Sequence, residues 1–146
     1  MKKILISLII ICSFSKCTQK TSLITSNTIE GTWKMVYAEI IEDGIIKPKD
    51  LSNTTFIKII NKSHFSFFNQ ENFGNKNFYS GAGTYSLKGN NYKETLNFTT
   101  VAALKNHQFS FNITTKGDTL IQTGIEKVSA AGINRYITEK YIKLNE

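Results

Sequence analysis

From Gly31 onward, apolar and polar residues alternate along the chain with a period of two, and Gly, Asn and Asp interrupt the alternation at short intervals. Successive side chains of a β-strand point to opposite faces, so this pattern predicts antiparallel strands joined by tight turns. Eight strands are predicted, at residues 31–41, 54–61, 63–69, 81–88, 91–100, 107–115, 118–127 and 133–144. Residues 45–53, which include the only proline, are predicted to form an irregular edge or loop.

The predicted strands are short, follow one another in series and are accompanied by no amphipathic helix long enough to cover an open sheet. Eight strands match the smallest antiparallel barrel whose interior can be filled by side chains or hold one small ligand. Closure of a barrel also removes the strand edges that promote aggregation. We therefore predict an all-β domain, a single eight-stranded antiparallel up-and-down barrel, with a β-sandwich as the alternative architecture.

The start of the chain has a different pattern, with two lysines after the initial methionine and an apolar run at residues 4–12. A run of this length is typical of a signal peptide and is too short to span a bilayer. Cys17 stands at the end of the apolar region, where bacterial lipoproteins are cleaved and acylated, although Lys16 replaces the small residue usual before it. We predict a lipoprotein-type signal peptide at residues 1–17 with lipidation of Cys17, and simple secretion is the alternative.

Residues 18–29 are polar and lack periodicity, which predicts a flexible linker before a folded domain at residues 30–146. The only cysteines, Cys12 and Cys17, precede this linker, so we expect neither a disulfide nor a thiolate metal site in the domain. We expect a protein of the bacterial cell envelope, lipid-anchored to the membrane in the periplasm or at the surface. Without acylation it would be a soluble periplasmic or secreted protein.

The formal net charge is +7 at pH 7, but the lysines are scattered and form no basic stripe interleaved with aromatic residues. This distribution predicts a solvated surface and argues against nucleic-acid binding. The two histidines, His64 and His107, have no second metal ligand at a suitable spacing, and no Gly-x-Ser-x-Gly, phosphate-loop or dinucleotide motif is present. We therefore predict no catalytic residue, no metal site and no cofactor.

The sequence Glu-Gly-Thr-Trp-Lys at residues 30–34 holds the only tryptophan and begins the first predicted strand. It resembles the opening signature of lipocalins and of lipocalin-like bacterial lipoproteins. Further motifs resemble that family's third strand, glycine-rich strand and hairpin, penultimate hairpin and Glu-x-Trp-x-Arg ending, at residues 63–67, 81–94, 117–124 and 139–143. The resemblance covers residues 30–144 and implies a β-barrel that can hold a hydrophobic cavity, with no known chemistry. It also implies that Trp33 closes one end of the barrel and that Lys143 lies across its ring.

Alternation also indicates which polar side chains point into the barrel. In the fifth predicted strand Leu96 and Phe98 mark the core face, so Glu94 is expected to point inward with them. In the last strand, Tyr141 is taken as the inner aromatic residue. Arg135 and Glu139 lie on the same face as Tyr141 and are therefore expected to point inward as well. A buried carboxylate without a partner is costly, so each is expected to be paired or neutral.

We predict that such inward residues form a ligand site, in which a few polar groups orient a ligand head within an apolar pocket. The predicted ligand-binding residues are Tyr85, Tyr92, Glu94, Phe109, Gln122, Arg135 and Glu139. The alternative is a structural network of buried polar groups that binds nothing.

The leading functional hypothesis is a non-catalytic carrier or sensor of a small hydrophobic or amphipathic molecule inside a monomeric barrel. The second hypothesis is an envelope interaction protein with a filled barrel that acts through its loops, of which residues 70–80 hold three aromatic residues despite their polarity. The third is an enzyme that acts on a lipid or envelope compound. An interior cavity of a few hundred Å³ would favour the first hypothesis over the second.

Overall fold

The computed structural model describes residues 29–74 and 76–145, so Cys17, the predicted signal peptide and the predicted linker except for its last residue lie outside the described residues. Within them the chain forms nine strands and two single 3₁₀ turns, Ala102–Leu104 and Ser129–Ala131. The strands are β1 (Gly31–Glu42), β2 (Ile45–Pro48), β3 (Thr54–Ile60), β4 (His64–Glu71), β5 (Tyr79–Lys88), β6 (Asn91–Thr99), β7 (His107–Lys116), β8 (Thr119–Val128) and β9 (Ile133–Lys143). No helix in this part of the chain is long and apolar enough to cross a membrane.

All nine strands belong to one antiparallel sheet, which closes because β1 pairs with β9. On the edge of β1 that does not face β9, the first four residues pair with β3 and the last four pair with β2. From β3 to β9, each strand pairs with the next along the chain. Eight strands, β1 and β3 to β9, therefore form a closed up-and-down barrel, which confirms the predicted fold class.

Strand β2 corrects the loop predicted at residues 45–53. Ile45–Pro48 pairs with Glu39 to Glu42 of β1 and forms an added edge strand. Pro48 occupies its last position, where a missing N–H donor costs the ladder little. All four side chains of β2 are exposed, so the segment lacks the alternation that identifies the other strands.

The core consists of alternate residues of the barrel strands, but a β-bulge in β6 changes the phase of the alternation. Asn97 is an extra residue in the pairing of β6 with β5, so Leu96 points inward whereas Phe98 is 73% exposed on the outer face. The prediction that Phe98 marks the core face is therefore wrong. Glu94 precedes the bulge and is buried in the interior.

Trp33 fills one end of the barrel. Its indole Nε1 donates a hydrogen bond to the carbonyl oxygen of Ile29 at 2.8 Å, and Ile29 is itself buried. Lys143 lies opposite Trp33 in the β1–β9 pairing, and its Nζ is 5.5 Å from the indole ring centroid. Gly31 makes room for this lysine, since a Cβ at Gly31 would lie 2.6 Å from Lys143 Cε and the φ of +145° disfavours any other residue. The Gly-x-Trp sequence and the lysine of the last strand thus form one closure.

We predict that Lys143→Ala lowers the free energy of unfolding by about 1 kcal/mol, because the substitution removes the cation–π contact with the indole and the packing of the lysine stem over Gly31. Trp33 is the only tryptophan, so its emission spectrum should change as well. Urea unfolding followed by fluorescence measures both effects. Lys116→Ala, at an exposed position, is the control and should change neither. A Lys143→Ala protein with the parent spectrum and midpoint would contradict this closure.

Candidate functional site

The end of the barrel opposite Trp33 opens into a cavity of about 430 Å³. Its mouth lies between the end of β1, the edge strand β2 and the 3₁₀ turn Ala102–Leu104. Much of its wall is apolar or aromatic, and these wall residues are Ile40, Phe56, Phe67, Tyr79, Leu104, Ile137 and Tyr141. The barrel is therefore hollow at one end and filled by Trp33 and its neighbours at the other.

Phe56 on β3 is the centre of the aromatic part of this wall. Its ring stacks on Phe67 with the centroids 5.5 Å apart and lies at a tilt against Tyr79 and Tyr141, at 6.2 and 6.1 Å. Aromatic side chains offer a large apolar area with few rotatable bonds, and they hold one another in place by such offset and tilted contacts. The wall is thus a preformed apolar surface.

The floor of the cavity is built on Lys58, whose relative exposure is 3%. Its Nζ donates to Glu94 Oε2 on β6 and to Gln122 Oε1 on β8, both at 2.9 Å. It also lies 4.9 Å from the ring centroid of Tyr92, a fully buried residue beneath the floor. The reading of every lysine as part of the solvated surface is therefore wrong for Lys58, which neutralises the inward carboxylate of Glu94.

Glu139 on β9 is the second carboxyl group of the floor. Its Oε2 accepts hydrogen bonds from Tyr141 Oη at 2.6 Å and from Gln122 Nε2 at 3.2 Å. Its Oε1 has no hydrogen-bond partner among the described residues and is accessible from the cavity. Burial raises the pKa of Glu139 above its ordinary value, and the nearby charges of Glu126 and Glu94 add to this shift, while Lys58 and the Tyr141 hydroxyl oppose it. Glu139 is thus the carboxyl group of the interior with the least compensation, since it has no ion-pair partner among the described residues.

Two cations lie nearer the mouth. Arg135 Nε donates to Glu126 Oε2 at 2.6 Å, so this arginine pairs with a carboxylate of β8 rather than with Glu139 of its own strand. Lys49 Nζ donates to Tyr79 Oη at 2.7 Å and lies 5.0 Å from the ring centroid of Phe56. Lys49 forms no ion pair with any described residue.

Four of the seven predicted ligand-binding residues line the cavity, namely Glu94, Gln122, Arg135 and Glu139. The other three lie outside its lining. Tyr85 is near the closed end and donates its hydroxyl to the carbonyl oxygen of Asn61 at 2.7 Å. Tyr92 supports Lys58 from below, and burial raises the pKa of its hydroxyl. Phe109 is buried, with its ring centroid 4.6 Å from that of His107 and 5.9 Å from that of Phe111.

Sequence reasoning missed Lys58, Lys49 and the aromatic residues of the wall. Strand β3 has apolar residues on both faces, so alternation could not show which face holds Lys58. A signal was nevertheless present, because Lys58 lies between Phe56 and Ile60, both on one face of the strand. Lys49 follows the edge strand and gave no periodic signal.

Comparisons of the chain with protein-family models, with curated proteins and with solved structures give no match. The functional interpretation therefore depends on the geometry of the cavity and its floor. Among the described residues, no three His, Cys, Asp or Glu side chains lie close enough together to hold a metal ion.

We predict strong coupling between Lys58 and Glu94. Lys58→Met or Glu94→Gln alone should lower the free energy of unfolding by about 3–5 kcal/mol, since each leaves an unpaired buried charge. The loss of unfolding free energy in the double variant should be much smaller than the sum of the losses in the two single variants. The measurement is urea unfolding followed by circular dichroism. The exposed pair Lys47–Glu42, changed in the same way, is the control and should show coupling of at most about 1 kcal/mol. If the losses of unfolding free energy at Lys58 and Glu94 were additive, the two side chains would not be coupled and the buried ion pair would be contradicted.

We predict that Glu139→Gln removes a pH-dependent loss of stability. Because folding raises the pKa of Glu139, the folded state holds this proton more tightly than the unfolded chain does. The resulting stabilisation is full below the ordinary value of 4.5 and is lost as the pH rises through the raised, folded-state pKa. The stability of Glu139→Gln relative to the parent should therefore increase with pH over this range, as measured by urea unfolding at a series of pH values. Glu30→Gln, at a surface position, is the control, and a parallel pH dependence in all three proteins would contradict the shift.

Proposed function

We propose that this protein binds and carries a small hydrophobic or amphipathic molecule in the barrel and is not an enzyme. The observation that carries the proposal is the cavity of about 430 Å³, which has an apolar aromatic wall and a polar floor. Ligand cavities of a few hundred Å³ commonly combine such a wall with a few fixed polar groups. Burial of a ligand against this wall would contribute about 25 cal/mol for each Å² of apolar surface removed from water.

The arrangement of the polar groups supports a binding role over a catalytic one. Lys58 donates hydrogen bonds to both Glu94 and Gln122. Neither histidine, His64 or His107, lines the cavity. A floor of this kind orients a polar head, while the wall accepts the ligand body.

We further propose the envelope as the location, with Cys17 as the lipid anchor and a monomeric barrel. The leader pattern of the sequence supports this proposal. The folded part of the chain includes Ile29, which lies at the closed end beside Trp33. A tether from Cys17 would therefore attach at the closed end and leave the mouth free. Its eleven residues, 18–28, reach at most about 40 Å when extended.

A second candidate function is an envelope interaction protein that acts through its loops. It is favoured by two exposed aromatic residues in the loop between β4 and β5, Phe73 and Phe78, which are 92% and 47% exposed. Exposed apolar groups of this size often mark contact surfaces. Tyr79, in contrast, folds back onto the aromatic wall.

We predict that the protein binds the neutral dye Nile red saturably and that Ala38→Phe reduces the affinity at least tenfold. Ala38 is buried and lines the cavity, so a phenyl ring at this position would occupy the ligand space. Fluorescence titration measures the binding, and native mass spectrometry counts the bound molecules. Ser86→Phe adds the same ring on the outer surface and should bind as the parent does. Parent protein that shows no saturable dye binding and no ligand mass would contradict the carrier function.

A further inference from the structure

We propose that the cavity selects ligands by the charge of their polar head and prefers a protonated primary amine to a carboxylate, with Glu139 as the acceptor. This inference rests on the proposed carrier function and names its ligand class, an apolar body with a cationic, hydrogen-bond-donating head. It comes from the composition and the geometry of the cavity floor.

The floor contains two carboxyl groups and a single cation. The charge of Lys58 is already paired with Glu94, and two of its three N–H donors bind Glu94 and Gln122. The next cation toward the mouth, Arg135, is paired with Glu126. The remaining carboxyl group, Glu139, receives hydrogen bonds but no ion pair from the described residues. A ligand cation would complete the charge balance.

The geometry of Glu139 fits such a ligand. Tyr141 and Gln122 both bind Oε2 and thereby fix the plane of the carboxyl group, while Oε1 stays open to the cavity. An ammonium head at Oε1 would form a charge-assisted hydrogen bond. Its apolar body would then lie along Phe56 and the ring of Tyr141, which are in contact with each other.

A carboxylate head on a ligand would be placed unfavourably in either orientation within the cavity. On the floor it would lie among Glu94 and Glu139, and it would have to compete with them for Lys58. In the reverse orientation, with the head at Lys49 by the mouth, its apolar end would cover the floor and leave Oε1 of Glu139 without water or a partner. Neither placement compensates Glu139.

The titration of Glu139 gives the preference a pH dependence. Among the described residues, four titratable groups face Glu139: Lys58 on β3, Glu94 on β6, Glu126 on β8 and Tyr141 on β9. The raised pKa of Glu139 means that its negative charge develops as the pH rises above the ordinary range of a carboxyl group. Amine affinity should therefore increase with pH through this titration, whereas the affinity for a neutral alcohol should stay constant.

The test compares three probes of equal chain length, decylamine, decanol and decanoate, by isothermal titration calorimetry at concentrations below micelle formation. We expect decylamine to bind at least tenfold more tightly than decanoate, with decanol between them. Glu139→Gln should weaken decylamine binding about tenfold and change decanol binding less than twofold. Glu39→Gln, which removes a carboxylate at the mouth of the same cavity, is the matched control and should leave the order of the probes unchanged.

The outcomes separate this inference from the carrier function. Decanoate binding as tight as decylamine binding, or an unchanged decylamine affinity in Glu139→Gln, would overturn the amine preference and leave the carrier function in place. Failure of all three probes and of Nile red would overturn both. If Glu139→Gln also lost decanol binding, the pH dependence of binding to the parent protein would decide. A decylamine affinity that rises with pH relative to the decanol affinity would support the amine preference. A ratio of the two affinities that does not change with pH would overturn it.

Discussion

The ion pair between Lys58 and Glu94 is the interaction around which the interior is arranged. A buried ammonium group requires a partner, and here Glu94 and Gln122 provide the two bonds while Gln122 extends the network to Glu139. These residues come from β3, β6, β8 and β9, so one polar layer connects opposite sides of the barrel. The layer divides the interior into a filled half below, closed by Trp33, and a hollow half above.

A polar layer of this kind is an expensive way to fill a barrel. Well-packed apolar side chains of similar volume are often as stable as a buried ion pair, or more stable. The carboxyl group of Glu139, which has no ion-pair partner among the described residues, adds to the cost, because burial opposes its ionisation. Natural sequences break the rules of packing and polar pairing most often at functional or strained sites. The position of this departure, directly beneath an apolar cavity, is what supports a binding role.

The sequence pattern predicted the fold better than it predicted the site. Every barrel strand carries apolar residues on its inner face, so alternation and turn residues located all eight. Strand β2 was missed because none of its side chains is buried. Glu94 was placed inward correctly, although Phe98 was not, since the extra residue Asn97 lies between Leu96 and Phe98. The hollow upper half could not be predicted, because it depends on how side-chain volumes from many strands add up in three dimensions.

The pairing of β1 with β9 has a consequence for folding. It joins residues on the order of a hundred positions apart, whereas every other barrel pairing joins residues fewer than 30 positions apart. Contacts of such separation slow folding toward milliseconds or seconds. Hairpins form in microseconds, so β3 to β8 can assemble as a meander before the sheet closes. Because Glu139 and Tyr141 belong to β9, the cavity acquires its complete floor only when β9 joins the sheet. During synthesis on the ribosome, the chain therefore lacks the complete cavity floor until the last strand has emerged.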